Sequence, residues 1–297
     1  MSGELEFVLD AKSIVAEGSF WDERKHLLIW IDIFQYKVHV YNPLNNHVYS
    51  IDTGQYVGSI ALREKGGAVV ALHNGFYFLN LDDGKLTFIT DPEKHLPNNR
   101  FNDGKCDCMG RFWAGTMSNN ENEGKGTTSP EGSLYCLDVD LSVRYIFGNV
   151  TISNGITWSL DNKTMYYIDT PTRQVAAFDF SPDTGEINNK RTVITTPPDK
   201  GCPDGMTIDE EGMLWIALWG GYGVTRWNPQ NGKLLKEIEI PVKNVTCCTF
   251  GGDNLDELYI TTSQIGINSN DPGYKYAGGI FKIKPGIRGI PAFRFKG

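Results

Sequence analysis

Apolar residues along the chain come in short runs broken by polar turns, and the three-to-four spacing of an amphipathic helix is nearly absent. Residues 27–33, 37–41, 68–72, 75–80, 112–115, 133–138, 165–169, 174–179, 214–218, 223–228, 258–262 and 278–283 read as strands. Between them lie segments with hairpin chemistry, such as Asn42-Pro43-Leu44-Asn45-Asn46, Asp82-Asp83-Gly84-Lys85, Ser181-Pro182-Asp183-Thr184-Gly185 and Asn228-Pro229-Gln230-Asn231-Gly232-Lys233.

The pattern repeats. Asn102-Asp103-Gly104 precedes Asp107 and the strand Phe112-Trp113-Ala114-Gly115. Asn154-Gly155-Ile156 precedes Asp161 and Met165-Tyr166-Tyr167-Ile168. Asp204-Gly205-Met206 precedes Asp209 and Leu214-Trp215-Ile216-Ala217, and Glu17-Gly18-Ser19 precedes Asp22 and Leu28-Ile29-Trp30. Asn102 and Asn154 lie 52 residues apart, Asn154 and Asp204 lie 50 apart, and Glu17 stands 85 before Asn102, room for two shorter units. A weaker unit begins near Ser59 and a last one at Thr246. Six units of about four strands predict an all-β fold, a six-bladed β-propeller with a central channel. The expected organisation is one domain over residues 1–297. Residues 4–11 are expected to close the ring by pairing with residues 292–295. The polar stretch 119–130 is expected to be an exposed loop over the channel mouth.

Inner strands of a propeller line its channel, so the residues opening each unit converge. Glu17, Asn154 and Asp204 bring oxygen donors only, which suit a hard divalent cation: Ca²⁺ or Mg²⁺ first, with Mn²⁺ or Zn²⁺ as alternatives. The plainer reading is that Asp-Gly and Asn-Gly pairs merely turn the chain. Arg100 and Asn102 precede the third inner strand and could clamp a carboxylate or a hydroxyl-rich ligand. Their plainer reading is a rim salt bridge, with Asp103 as partner or as a turn cap. The five histidines fall away from the repeat openings. Neither a Gly-x-Ser-x-Gly elbow nor a phosphate-binding glycine loop occurs.

A net charge of −8 argues against nucleic acid or an anionic membrane as partner. No apolar run approaches the roughly 20 residues of a membrane span. The N-terminus lacks the pattern of a signal peptide, so a cytoplasmic monomer or weak homo-oligomer is expected. Six cysteines include no C-x-x-C pair and read mainly as buried free thiols.

Several segments are specific enough to carry a resemblance. They are Ala16-Glu17-Gly18, Asn99-Arg100-Phe101-Asn102-Asp103-Gly104-Lys105, Gly115-Thr116-Met117, Ser153-Asn154-Gly155-Ile156, Pro203-Asp204-Gly205-Met206 and Phe250-Gly251-Gly252-Asp253-Asn254-Leu255-Asp256-Glu257-Leu258-Tyr259. In order, over essentially the whole chain, they resemble the regucalcin (senescence marker protein), gluconolactonase and luciferin-regenerating enzyme-like family. The resemblance implies a six-bladed propeller holding one divalent metal ion, Ca²⁺ foremost, and hydrolysis of small sugar lactones such as glucono-1,5-lactone. It puts the metal ligands on Glu17, Asn154 and Asp204, and substrate contacts on Arg100 and Asn102. The family's further substrate-contacting Glu falls on Asn120, with Glu121 one step later, a departure bearing on sugar preference. The implied chemistry is polarisation of the lactone carbonyl by the metal, with Asp204 as general base or, alternatively, a water acidified by the metal itself. Rival readings are a metal-dependent organophosphate hydrolase, a non-catalytic calcium-binding regulator and a protein-binding platform.

Overall fold

A computed structural model describes residues 3–119 and 129–297. Its strands form six four-stranded antiparallel sheets. The innermost strands are Ala16–Asp22, Val57–Leu62, Asn99–Cys106, Ser153–Trp158, Cys202–Ile208 and Val245–Gly251. Each lies against the next, and the sixth returns to the first, where Thr246 donates its hydroxyl to the Ala16 carbonyl. The fold is a six-bladed β-propeller, with blades numbered one to six from Ala16 onward. Its helical content among the described residues is three 3-10 turns.

Local chemistry explains the repeated turn between the first two strands of a blade. In blade three, Asp107 accepts the Met109 and Arg111 amides through Oδ1 and the Trp113 indole N–H through Oδ2 at 2.9 Å. In blade five, Asp209 does the same for Glu211, Met213 and Trp215, the last at 2.8 Å. The turn carboxylate thus satisfies a tryptophan buried six residues later, which could not otherwise pair its N–H. Trp30, Trp113 and Trp215 are fully buried between blades. Apolar clusters join each blade to its neighbours, and each fully buried Leu, Ile or Phe contributes about 1.5–3 kcal/mol.

Each inner strand carries a β-bulge near its start. In blade three, Phe101 pairs with Thr116 and Gly104 with Ala114, so three steps face two. The same extra residue lies between Glu17 and Phe20, Ser153 and Ile156, and Pro203 and Met206. A bulge breaks the alternation of side chains and re-aims them. The strands also approach closely there: a Cβ on Gly155 would stand 2.6 Å from the Met206 Cβ, which requires glycine at that position.

Ring closure departs from expectation. Glu6–Leu9 forms the outer strand of blade six by pairing with Ile280–Ile283, not with residues 292–295. The chain after Gly286 instead runs across the face where the inner strands end. Arg288 accepts from the Glu210 amide, Gly289 donates to the Leu255 carbonyl, Phe295 pairs with Leu62 and Glu64, and Lys296 donates to Gly110. Arg294 meets Asp22 at 2.6 Å, both buried. This strap fastens blades five, six, one, two and three together. Its Arg-Phe sequence reads locally as a strand, but its partners lie far off in the chain. No helix among the described residues is long and apolar enough to cross a membrane.

Candidate metal and substrate site

The bulges bring Glu17, Asn102, Asp103, Asn154 and Asp204 to the channel mouth opposite the strap. All five are buried, with exposures of 5–8%. The repeat equivalence holds to within one residue: Glu17 pairs with Ile31, whereas Asn154 and Asp204 lie inside their bulges.

Glu17 and Asp204 come from blades one and five and share a side-chain hydrogen bond. Burial, then the charge of Asp103, pushes the Glu17 carboxyl up to about 8, against the Gly18 amide that donates to its Oε2 at 2.8 Å. Burial, then Glu17 and Asp103, holds Asp204 well above the ordinary carboxylate range. Two desolvated carboxyls in contact cannot both ionise without a cation between them. In the metal-free protein the pair therefore retains a proton at neutral pH.

Asn154 is held at both ends of its amide. Its Nδ2 donates to the Thr170 hydroxyl at 2.7 Å, and Thr170 in turn donates to the Pro203 carbonyl at 2.8 Å. Its Oδ1 accepts from Asn102 Nδ2 at 2.9 Å. Asn102 Nδ2 also donates to the Ser153 carbonyl at 2.7 Å, while its Oδ1 accepts from Arg100 Nη1 at 2.7 Å. A chain of hydrogen bonds thus runs Arg100–Asn102–Asn154–Thr170–Pro203 across three blades.

Arg100 is 5% exposed. Its Nη1 serves the Phe101 carbonyl and Asn102, and its Nε has no hydrogen-bond partner. The rim salt bridge with Asp103, the plainer reading of Arg100, does not form; Asp103 instead accepts its neighbour Gly104's amide at 2.7 Å, as a turn cap would. Burial lowers the Arg100 pKa to about 10, opposed by Tyr56 and Glu17. Its guanidinium carbon stands 5.8 Å from the Phe34 ring and 6.0 Å from the Tyr56 ring.

The donor set fits a hard divalent ion: two carboxyls raised chiefly by burial and one amide oxygen whose orientation Thr170 fixes. Among the described residues no three His, Cys, Asp or Glu side chains form a metal-binding group by themselves. Asn120, with the rest of 120–128, lies outside the described residues.

Sequence reasoning gave Asp103 to a turn and overlooked Thr170. Asp103 occupies the bulge position that is Gly155 and Gly205 in the next two blades, where it adds a third negative charge beside Glu17 and Asp204. Hairpin register sets Thr170 opposite Ile152, and the bulge after Ser153 turns Asn154 back onto its hydroxyl. The histidines stay outside the site; His39 stacks on Trp30 and bonds Ser50. All six cysteines are free thiols, with Cys106, Cys136, Cys247 and Cys248 buried. A small cavity lined by Ser19, Lys105 and Thr249 lies on the strap side of the channel, where Ile290 and Pro291 close it.

Comparison with known proteins places the fold and the sequence in one family. Residues 15–264 match the model of the SMP-30/Gluconolactonase/LRE-like region. The chain is 40% identical to regucalcin of Xenopus laevis over 99% of both chains. It is 37% identical to YvrE of Bacillus subtilis, named as a candidate sugar lactone lactonase, over 97% of both. Among solved structures, a luciferin-regenerating enzyme superposes with a TM-score of 0.91 at 33% identity, covering 99% of each chain. With its bulged inner strands and oxygen-lined channel mouth, the chain belongs to the SMP-30/gluconolactonase/LRE-like family.

Proposed function

We propose that the protein is a divalent-metal-dependent lactonase that hydrolyses sugar lactones. The observation that carries the reading is the meeting of Glu17, Asn154 and Asp204 at one channel mouth beside a buried Arg100–Asn102 pair. The family description and the lactonase name of a 37% identical relative support it.

Glu17, Asp204 and the Asn154 oxygen would hold the ion, Ca²⁺ in the first instance, with Mg²⁺, Mn²⁺ or Zn²⁺ as alternatives. Once bound, it supplies Lewis acidity toward the lactone carbonyl and a positive charge for the developing oxyanion. Thr170 and Asn102 fix the orientation of the Asn154 amide, whose oxygen would serve as the ion's third donor. Arg100 offers its unpaired edge, and Asn102 Oδ1 its second lone pair, to substrate oxygens, which fixes the attack geometry. Water attacks the carbonyl carbon and Asp204 takes its proton. The ring C–O bond then breaks, and that proton passes to the leaving alkoxide, giving the open hydroxy acid. General-base help of this kind is worth typically 10²–10⁴-fold.

The test is turnover of glucono-1,5-lactone above its spontaneous opening, together with calorimetric Ca²⁺ binding, for Glu17→Gln and Asp204→Asn. Each variant should bind the ion at least about 10-fold more weakly. Turnover should fall by about 10³-fold or more. Wild-type turnover in both variants would overturn the assignment.

A further inference from the structure

Arg100 is an anomaly that a neutral sugar does not resolve. A buried guanidinium normally sits against a carboxylate, because its desolvation is costly unless it is paired and hydrogen-bonded. Among the described residues no Asp or Glu stands within ion-pair distance of Arg100, and Glu17 acts on it only as a more distant charge. Nη1 spends its hydrogen bonds on two neutral acceptors, and Nε spends none. Phe34 and Tyr56, both half-buried, flank the group and meet edge to face at 5.5 Å. They shield it from water without neutralising it.

Resting on the lactonase reading above, we propose that the preferred substrate is an acidic lactone, one that carries a free carboxylate away from the ring ester, and that Arg100 receives this carboxylate on its Nε edge. A guanidinium edge matches a carboxylate as two parallel N–H···O bonds, which a hydroxymethyl group cannot supply. With Glu17 and Asp204 committed to a divalent ion, Asp103 is the one remaining carboxylate at the mouth among the described residues, and Lys105 lies close enough to offset its charge. Among the described residues, the substrate's own anion then meets Arg100 without a carboxylate in ion-pair distance of it. The tight, aromatic-walled setting of Arg100 suits a short carboxylate at the ring edge rather than a phosphate, which would need more donors than one edge provides.

The experiment compares two lactones of identical ring and stereochemistry. One is an aldono-1,4-lactone ending in CH₂OH; the other is the aldaro-1,4-lactone ending in a carboxylate at the same carbon. The wild type should favour the acidic lactone by about 10- to 100-fold in kcat/KM, mainly through KM. Arg100→Gln should slow both but erase that preference, and Arg100→Lys should restore part of it. In parallel, thermal shift of the Ca²⁺-loaded protein is read with the open aldarate and aldonate at equal concentration. The aldarate should stabilise more, and Arg100→Gln should remove the difference. Equal kcat/KM for the two lactones would overturn the proposal and leave the lactonase reading intact. If neither lactone turns over, the lactonase reading fails, and the thermal shift still decides: equal stabilisation by the two acids would overturn carboxylate recognition at Arg100.

Discussion

Replacing Glu17 by Gln should change how the metal-free protein responds to pH. The Glu17 carboxyl rises from an ordinary 4.5 to about 8 because it is buried and faces Asp103. The folded state therefore holds a proton that the unfolded chain releases above about 4.5. Stability from this group is fully present below that pH and is lost as pH rises through 8; Asp204, also raised, acts in the same direction. The full swing is at most on the order of 5 kcal/mol. An unfolding entropy of about 2.1 cal/mol/K per residue makes 1 kcal/mol worth about 1.6 °C for a chain this long. Scanning calorimetry of metal-stripped protein between pH 5 and pH 9 should show the wild type losing up to about 8 °C more than Glu17→Gln. Saturating Ca²⁺ should flatten the wild-type slope, since the ion requires both carboxyls deprotonated. Parallel pH profiles for wild type and variant, without metal, would refute the picture of a proton trapped between Glu17 and Asp204.

Thr170→Val keeps the shape but removes the hydroxyl that holds Asn154 Nδ2 at 2.7 Å. It should weaken Ca²⁺ binding by about 10- to 100-fold in calorimetry, with Thr170→Ser restoring it; unchanged affinity would show that Asn154 needs no such support. Arg294→Ala strands buried Asp22 without its 2.6 Å partner and should cost about 3–5 kcal/mol, or about 5–8 °C in melting temperature. Turnover at 25 °C should stay near wild type, because the strap lies at the opposite end of the channel from Glu17 and Asp204. An unchanged melting temperature would mean that the strap does not fasten the blades.

The blades were readable because short apolar runs lie between strong turn formers, and because the turn chemistry recurs. The interval from Asp107 to Trp113 and from Asp209 to Trp215 is visible as spacing, and the carboxylate-to-indole hydrogen bond gives it a cause. Blade two was faint, since its inner strand Val57–Leu62 opens with no polar side chain and marks its bulge only by Gly58. The C-terminal strap misled for a different reason. Phe293-Arg294-Phe295 looks like a strand, yet the ion pair that fixes it joins residues 272 apart. Nothing local records such a contact. At the site, Glu17, Asn154 and Asp204 stood out as oxygen donors at recurring positions. Asp103 and Thr170 did not, because their roles depend on a bulge and on hairpin register, which set where neighbouring side chains point.

The most direct test of the proposed chemistry is hydrolysis of a panel of sugar lactones by metal-stripped protein, with Ca²⁺, Mg²⁺, Mn²⁺ and Zn²⁺ returned one at a time. Turnover should be absent without metal, return with at least one of these ions, and fail to return in Asp204→Asn. Full activity in the stripped protein, or tight ion binding with no lactone opened by any of the four, would contradict a metal-dependent lactonase.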